Sequence, residues 1–438
     1  MPTPTRITLL AFQVGFGDCF LLRFEYSSGR PRHVLIDFGS FPKASWLKKT
    51  GMRKVAEAIK QQCGGKLDAL VATHRHADHI NGFTTDEDDP GSVIASCAPD
   101  VVVQPWTEDP DAKRNANKPT AAFMNAFAPA NAADAKRAFL RGQAFVESLD
   151  DMRALLPALN RNAELLRNAG YRDLAHQLAF QGQNGITNRR AVENLMEMGR
   201  QGVARYVYHG ADSGLEAVLP GVTVTVLGPP TLQQTKTIRK YAETSPDEYW
   251  LTMARTTLRF YGEGTSSFDG GSGYAYDDAP AYARWLIARL RTLPARQLLE
   301  IVRSMDRVLN NTSVVLLFEA GGRKLLFPGD AQLENWSYAL EQPGVDDLLE
   351  DVNLYKVGHH GSLNATPKTL LWENILSKSN DLATVVSTLA GVHGGDHGNP
   401  TEVPRSTLVT ALESHSRYTT TQSLPKTPGA FSETRIDV

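Results

Sequence analysis

The chain is poor in several things. Only three of its 438 residues are cysteine: Cys19, Cys63 and Cys97. An odd number of isolated thiols argues against a disulfide framework or a thiolate metal site, and predicts reduced, buried side chains in a cytoplasmic protein. Charge of one sign is also missing. The formal net charge is −2, which gives no general pull toward nucleic acid or an anionic membrane. No run of about 18 apolar residues occurs, so no membrane-spanning helix is expected. The opening "MPTPTRITLLAFQVGFGD" has a single basic residue and quickly turns strand-like, against a secretory signal. No short fixed-period repeat is visible. What remains is a composition of 42% hydrophobic and 21% charged residues, the balance of a soluble globular protein with one large core or two to three domains.

Strand signals dominate the two ends of the chain. "RITLLAFQV", "CFLLRFEY" and "HVLIDFGS" read as three strands separated by glycine turns. A helix is expected around "WLKKTGMRKVAEAIKQQ", then the buried strands "LDALVATH" and "PDVVVQPW". From Ala132 to Gln181 apolar residues fall at helical spacing, with Pro157 as a break. Strands return at "VARYVYH" and "VTVTVLGPP". The glycine-rich "YGEGTSSFDGGSGYAYDD" cannot pack a core, and a helix pair is expected after it. "SVVLLFEA" and "RKLLFPGD" read as a hairpin, "VNLYKVGHHGS" and "LATVVSTLA" as further strands, and "STLVTALES" as a closing helix. The pattern predicts an α/β sandwich in two halves with helical insertions between them.

The chemistry is concentrated in "VATHRHADHINGF", directly after a predicted strand. It holds His74, His76, Asp78 and His79, three of only 11 histidines within six positions. His74 and His76 can point toward one spot, Asp78 and His79 toward a second. Imidazole suits zinc-like ions and carboxylate suits harder divalent ions. Two further strand ends supply partners: Asp330 in "FPGD", and His359 and His360 in "KVGHHGS". One of that His-His pair is expected as a ligand, the other as a substrate contact or an orienting group. Lys356, two residues before the strand turns, is placed to meet a phosphate; a surface lysine on an edge strand is the plain alternative.

Taken in order, "HRHADH", "FPGD" and "KVGHHGS" resemble the metallo-β-lactamase fold hydrolases. The closer likeness is to the soluble hydrolase domain of ComEC-type DNA-uptake proteins, through "VGFGD" (Val14 to Asp18), "IDFG" (Ile36 to Gly39) and "NNTS" (Asn310 to Ser313). The resemblance covers roughly residues 5–106, 203–230 and 310–412. It implies a four-layer αββα sandwich: a first half over 1–106, a helical insertion over 107–202, sandwich strands over 203–231, a glycine-rich and helical insertion over 232–309, and the second half with a C-terminal tail over 310–438.

It also implies two divalent ions, zinc first and manganese as the alternative. His74 and His76 would bind metal 1. Asp78, His79 and His359 would bind metal 2, and Asp330 would bridge. Asp37 would be structural. His360 and His397 become substrate contacts, and Asp78, Asp330 and Lys356 the catalytic groups. Two departures stand out. Asn310 or Asn311 stands where a third metal-1 histidine is common, with His209 as a distant substitute, and oxygen ligation there would favour manganese. Asn399 stands at the expected histidine of the last loop, where His393 or His397 would substitute.

The expected reaction is hydrolysis by a metal-activated hydroxide, on a phosphodiester or nucleotide. Near-neutral charge favours a small substrate over long duplex DNA. Hydrolysis of a lactone, ester or thioester is the first alternative, and a catalytically quiet metal-binding sensor or partner-binding protein the second.

Overall fold

The computed structural model describes residues 2–110 except 87, residue 167, residues 189–235 except 232, and residues 309–438 except 363 and 394–401. The expected helices between Ala132 and Gln181, the glycine-rich run with its helix pair, His397 and Asn399 lie outside the described residues.

Two mixed sheets make up the frame. The first carries β1 (Arg6–Phe12), β2 (Cys19–Glu25), β3 (Arg32–Phe38), β4 (Ala69–Val71), β5 (Val101–Pro105) and β6 (Val203–Val207). The second carries β7 (Thr223–Gly228), β8 (Val315–Ala320), β9 (Arg323–Phe327), β10 (Leu354–Lys356), β11 (Ala383–Val386) and β12 (Arg417–Thr420). Within each sheet these strands lie in chain order. β1 to β3 are antiparallel and β3 to β6 parallel. β7 to β9 are antiparallel and β9 to β12 parallel. The two halves thus repeat one topology, which no short-period similarity in the sequence announces. A last strand, β13 (Phe431–Asp437), returns to the first sheet and pairs antiparallel with β1. The chain therefore does not close on a helix or a tail of the second half; its final strand completes the first sheet.

Strand alternation explains the packing. Ile7, Leu9 and Ala11 of β1 join Phe20, Leu22 and Phe24 of β2 in a core shared with Leu316, Phe318, Leu325 and Phe327 of the opposite sheet. The intervening Leu10, Phe12 and Leu21 face outward and pack under α1 (Gly51–Gln62), α3 (Pro90–Ala95) and α4 (Arg189–Gln201). On the far side Val315, Leu317, Leu326 and Tyr355 pack under α5 (Leu333–Leu340), α6 (Val345–Leu349) and α7 (Ser406–His415). Each sheet is covered on both faces, so its strands read as nearly continuous apolar runs. The outer helices are amphipathic: α1 buries Met52, Val55, Ala56 and Ile59, the spacing of one helical face. No helix among the described residues is long and apolar enough to cross a membrane.

One break in the alternation matters. Ile36 lies in the inter-sheet core and Phe38 in the outer core, although strict period two would put them on one face. Asp37 between them adopts a left-handed backbone with φ 55°. The kink lies at the carboxyl end of β3, beside the end of its parallel neighbour β4. Crevices outside the carboxyl ends of parallel strands are where open α/β sheets place their sites.

Candidate metal centre

The histidine motif leaves β4 at Val71 and turns into α2 (Ala77–Ile80), a single helical turn that carries Asp78 and His79. Two glycines let this turn sit deep. A Cβ on Gly39 would stand 2.3 Å from the Asp78 carbonyl carbon and the His79 nitrogen. A Cβ on Gly17 would meet the Asp78 oxygen at 2.7 Å. The glycines of "IDFG" and "VGFGD" are thus the surfaces against which the turn that carries Asp78 and His79 is pressed. The Asp18 amide donates to the Asp78 carbonyl at 2.8 Å and ties the same contact down.

From the second sheet, Asp330 follows the end of β9 and His359 and His360 follow β10. Asp78, His79, Asp330 and His360 offer ligand atoms all within 4.8 Å of one another, and all four are buried. His79 Nε2 lies 3.0 Å from Asp330 Oδ2. His360 Nε2 lies 3.1 Å from Asp78 Oδ2 and 3.9 Å from Asp330 Oδ2. Despite the short His79–Asp330 distance, neither His79 Nε2 nor Asp330 Oδ2 has a well-formed hydrogen bond, and Asp78 Oδ1 has none either, among the described residues. Buried polar atoms are rarely left so unless something else satisfies them.

The ring orientations are set from behind. His79 Nδ1 donates to Asp37 Oδ2 at 2.8 Å, and His360 Nδ1 donates to the Ser387 carbonyl at 2.9 Å. Each ring therefore turns Nε2 toward the carboxylates, the usual outer support of a metal-binding histidine. Asp37 also accepts from the Thr73 amide and hydroxyl, both at 2.7 Å. The Thr73 hydroxyl oxygen is 3.2 Å from His74 Nδ1. His74 Nε2 in turn lies 3.0 Å from His76 Nδ1. The fully buried Asn310 side chain hydrogen-bonds His76. Asn311 faces elsewhere, bonded to Glu334 and the Gln332 amide. Of the two asparagines in "NNTS", Asn310 is the one beside His76.

Burial opposes charge throughout, and the neighbours decide the outcome. His79 is held well above the ordinary histidine range because Asp330, Asp37 and Asp18 outweigh its burial. His360 is likewise raised, to about 10, by Asp18 and Asp330 against burial. Asp330 is held well below the carboxylate range, burial being overcome by His79, His359, His360 and Lys356. Asp78 is lowered against its burial by His360 and His79. His74 and His76 go the other way, pushed down mainly by burial, and so stay neutral. The His79 and His360 rings are thus shifted toward the charged form and the His74 and His76 rings toward the neutral one.

Several expected residues sit elsewhere. His359, expected as the third ligand of metal 2, is on the rim with its side chain 22% exposed and Nε2 3.9 Å from Asp330 Oδ2. Its amide donates to Asp330 Oδ1 at 3.1 Å. His360, expected as a substrate contact, occupies the ligand group instead. Both residues adopt left-handed backbone, φ 46° and 54°, which breaks strand alternation and reverses the expected order. Lys356, expected to meet substrate, is buried with its ammonium on Asp18. His209 is held by the Leu227 carbonyl and packs edge-on to Tyr338, outside the group. His393 lies near Phe16, ring centres 6.1 Å apart, and Phe16 stacks on His360 at 4.4 Å. Asp18, Thr73 and Ser387 are the supports that sequence reasoning did not single out. Only Asp18 had a signal, as the last letter of "VGFGD".

No family model matches this chain, and no curated protein matches it.

Proposed function

We propose that this chain is a metal-dependent hydrolase with a metallo-β-lactamase-like αββα sandwich, acting on a phosphodiester or nucleotide. The observation that carries the reading is the group Asp78, His79, Asp330 and His360: four buried donors from two sheets, within 4.8 Å, with both rings oriented from behind. The donor set fits a divalent ion, since mixed imidazole and carboxylate ligands suit zinc and manganese. The unpaired atoms Asp78 Oδ1, His79 Nε2 and Asp330 Oδ2 are what such an ion would satisfy. His74 and His76, neutral and adjacent, are the donors for a second ion. They hydrogen-bond each other, so a second ion has to separate them and binds more weakly than the first.

Bound ions of this kind activate water and stabilise negative charge on the substrate's oxygens. The protein's own part is to position and to move protons. Asp37 and Thr73 hold the first-sheet rings, and the Ser387 carbonyl holds His360. Ligands must shed their protons to bind, so His79 and His360 would have to lose theirs to hold an ion. We assign contact with the substrate to His359 and His393, both partly exposed.

The test is metal content per chain together with turnover of bis-p-nitrophenyl phosphate, short nucleic acids and lactones. Metal-dependent phosphodiester cleavage that disappears in Asp330→Asn and His360→Ala is expected. Activity confined to lactones rejects the substrate class, and a chain that retains neither zinc nor manganese rejects the reading altogether.

A further inference from the structure

A second acidic group, Asp18, Asp37 and His79, also has the makings of a cation site. Its cation is already present. Lys356 is only 2% exposed, and its ammonium pairs with Asp18, donates to the Gly329 carbonyl at 3.0 Å and lies 3.5 Å from Asp330 Oδ1. A lysine ammonium has three N–H donors, and here three acceptors face it. At 2% exposure it has almost no surface to offer a substrate.

Asp18 is the other half of this arrangement. It is fully buried, and beyond Lys356 its Oδ1 lies 3.4 Å from His360 Nδ1. Its backbone bridges the first-sheet loops, donating to the Asp78 carbonyl at 2.8 Å and accepting from the Gly39 amide at 2.9 Å. The pair therefore touches both second-sheet donors, Asp330 through Lys356 and His360 through Asp18, and anchors them to the first-sheet turn that carries Asp78.

We propose that Asp18 and Lys356 act as one positioning unit that aims Asp330 and His360 at the metal, and that Lys356 makes no contact with substrate. The inference rests on reading the four-donor group as a metal site. It goes further by assigning a buried ion pair from opposite sheets to the setting of that site's affinity.

The experiment measures zinc affinity of the folded, metal-stripped protein by competition with a chromogenic chelator. It is run on wild type, Lys356→Met, Lys356→Arg, Asp18→Asn and Asp18→Asn/Lys356→Met. Thermal melting without metal and KM for bis-p-nitrophenyl phosphate are recorded alongside. Lys356→Met and Lys356→Arg are both expected to bind zinc about 10–100-fold more weakly, the usual effect of losing a group that orients a ligand. The double variant is expected to be no weaker than the weaker single. A lysine acting only as charge gives tighter zinc binding in Lys356→Met and no change in Lys356→Arg. A substrate contact gives unchanged zinc affinity with raised KM. A purely structural pair lowers metal-free melting and leaves zinc affinity of the folded protein unchanged. Any of these three outcomes, or additive losses in the double variant, overturns the proposal while leaving the metal site standing. If Lys356→Met does not fold, Lys356→Arg, which keeps the charge, decides. Wild type that binds no zinc overturns the metal reading itself.

Discussion

His33 shows how burial dominates a residue's behaviour. It is 4% exposed, and neither ring nitrogen has a hydrogen-bond partner among the described residues. Burial pushes its pKa down to about 4, with Arg23 and Arg30 adding to the effect and Asp68 opposing it. The folded state therefore prefers the neutral ring, and the unfolded chain, titrating near 6.5, binds the extra proton. Stability is fully present above about pH 6.5 and falls as pH drops toward 4, by about 3 kcal/mol in all. Urea unfolding of wild type against His33→Leu across that window should show the variant's curve flatter by this amount. A constant difference between the two curves would mean that His33 carries no such linkage.

Thr73 works at the same scale but inside the site. Its hydroxyl donates to Asp37, which in turn orients His79. Thr73→Val keeps the shape and removes that donor. Stability should fall by about 1–3 kcal/mol, the cost of an acceptor left unsatisfied in a buried place. Metal affinity should fall by about 10–100-fold, because His79 loses part of its support. Calorimetric metal titration beside thermal melting separates the two effects. Residues of this kind explain what could be read from the sequence. His74, His76, Asp78 and His79 were legible because they are nearly consecutive and follow a strand. Thr73 and Ser387 were not: a common hydroxyl and a backbone carbonyl carry no sequence signature, and Ser387 meets His360 only through the fold.

Among elements, the short α2 turn is the most constrained. It is only four residues long and depends on being pressed against Gly17 and Gly39 rather than on helical propensity. Gly39→Ala places a methyl carbon 2.3 Å from the Asp78 and His79 backbone, far inside van der Waals contact. The turn must move, and overpacking of this kind costs about 1–3 kcal/mol or more. Loss of metal binding in a protein that still folds is the expected result, read by circular dichroism and metal content together. Unaltered metal content would show that the turn has slack. The strands were legible from their apolar runs, and α1 from its periodicity. The order of His359 and His360 was not, because it hangs on two successive left-handed residues after β10 that no composition rule predicts for histidine. β13 was also missed: "FSETRIDV" is polar and half exposed, an edge strand whose pairing with β1 depends on residues more than 400 positions away.

For the whole molecule, the donors come from both sheets: Asp78 and His79 follow β4 of the first, Asp330 and His360 follow β9 and β10 of the second. An ion held by all four binds only when the sheets are packed together. It must then stabilise the native state as one unit, by about 2.7 kcal/mol at a free concentration 100 times its dissociation constant. Thermal melting should rise with added zinc or manganese and fall with chelator, in a single transition. Two transitions, with only one responding to metal, would mean that the site belongs to one sheet alone.

The same topology decides where the chain can grow. β5 and β7 both end at the edge that bears the donors, and α4 and β8 both begin there; the Val314 amide, just before β8, donates to the Thr73 carbonyl at 2.9 Å. The described flanks at 110, 189, 235 and 309 therefore all open onto one rim. A segment that joins two of these flanks starts and ends on that rim, so its length can change without breaking a strand of either sheet. On the proposed reading, the donors belong to the sheet ends and the rim can be rebuilt without them, so the two are free to change on separate schedules.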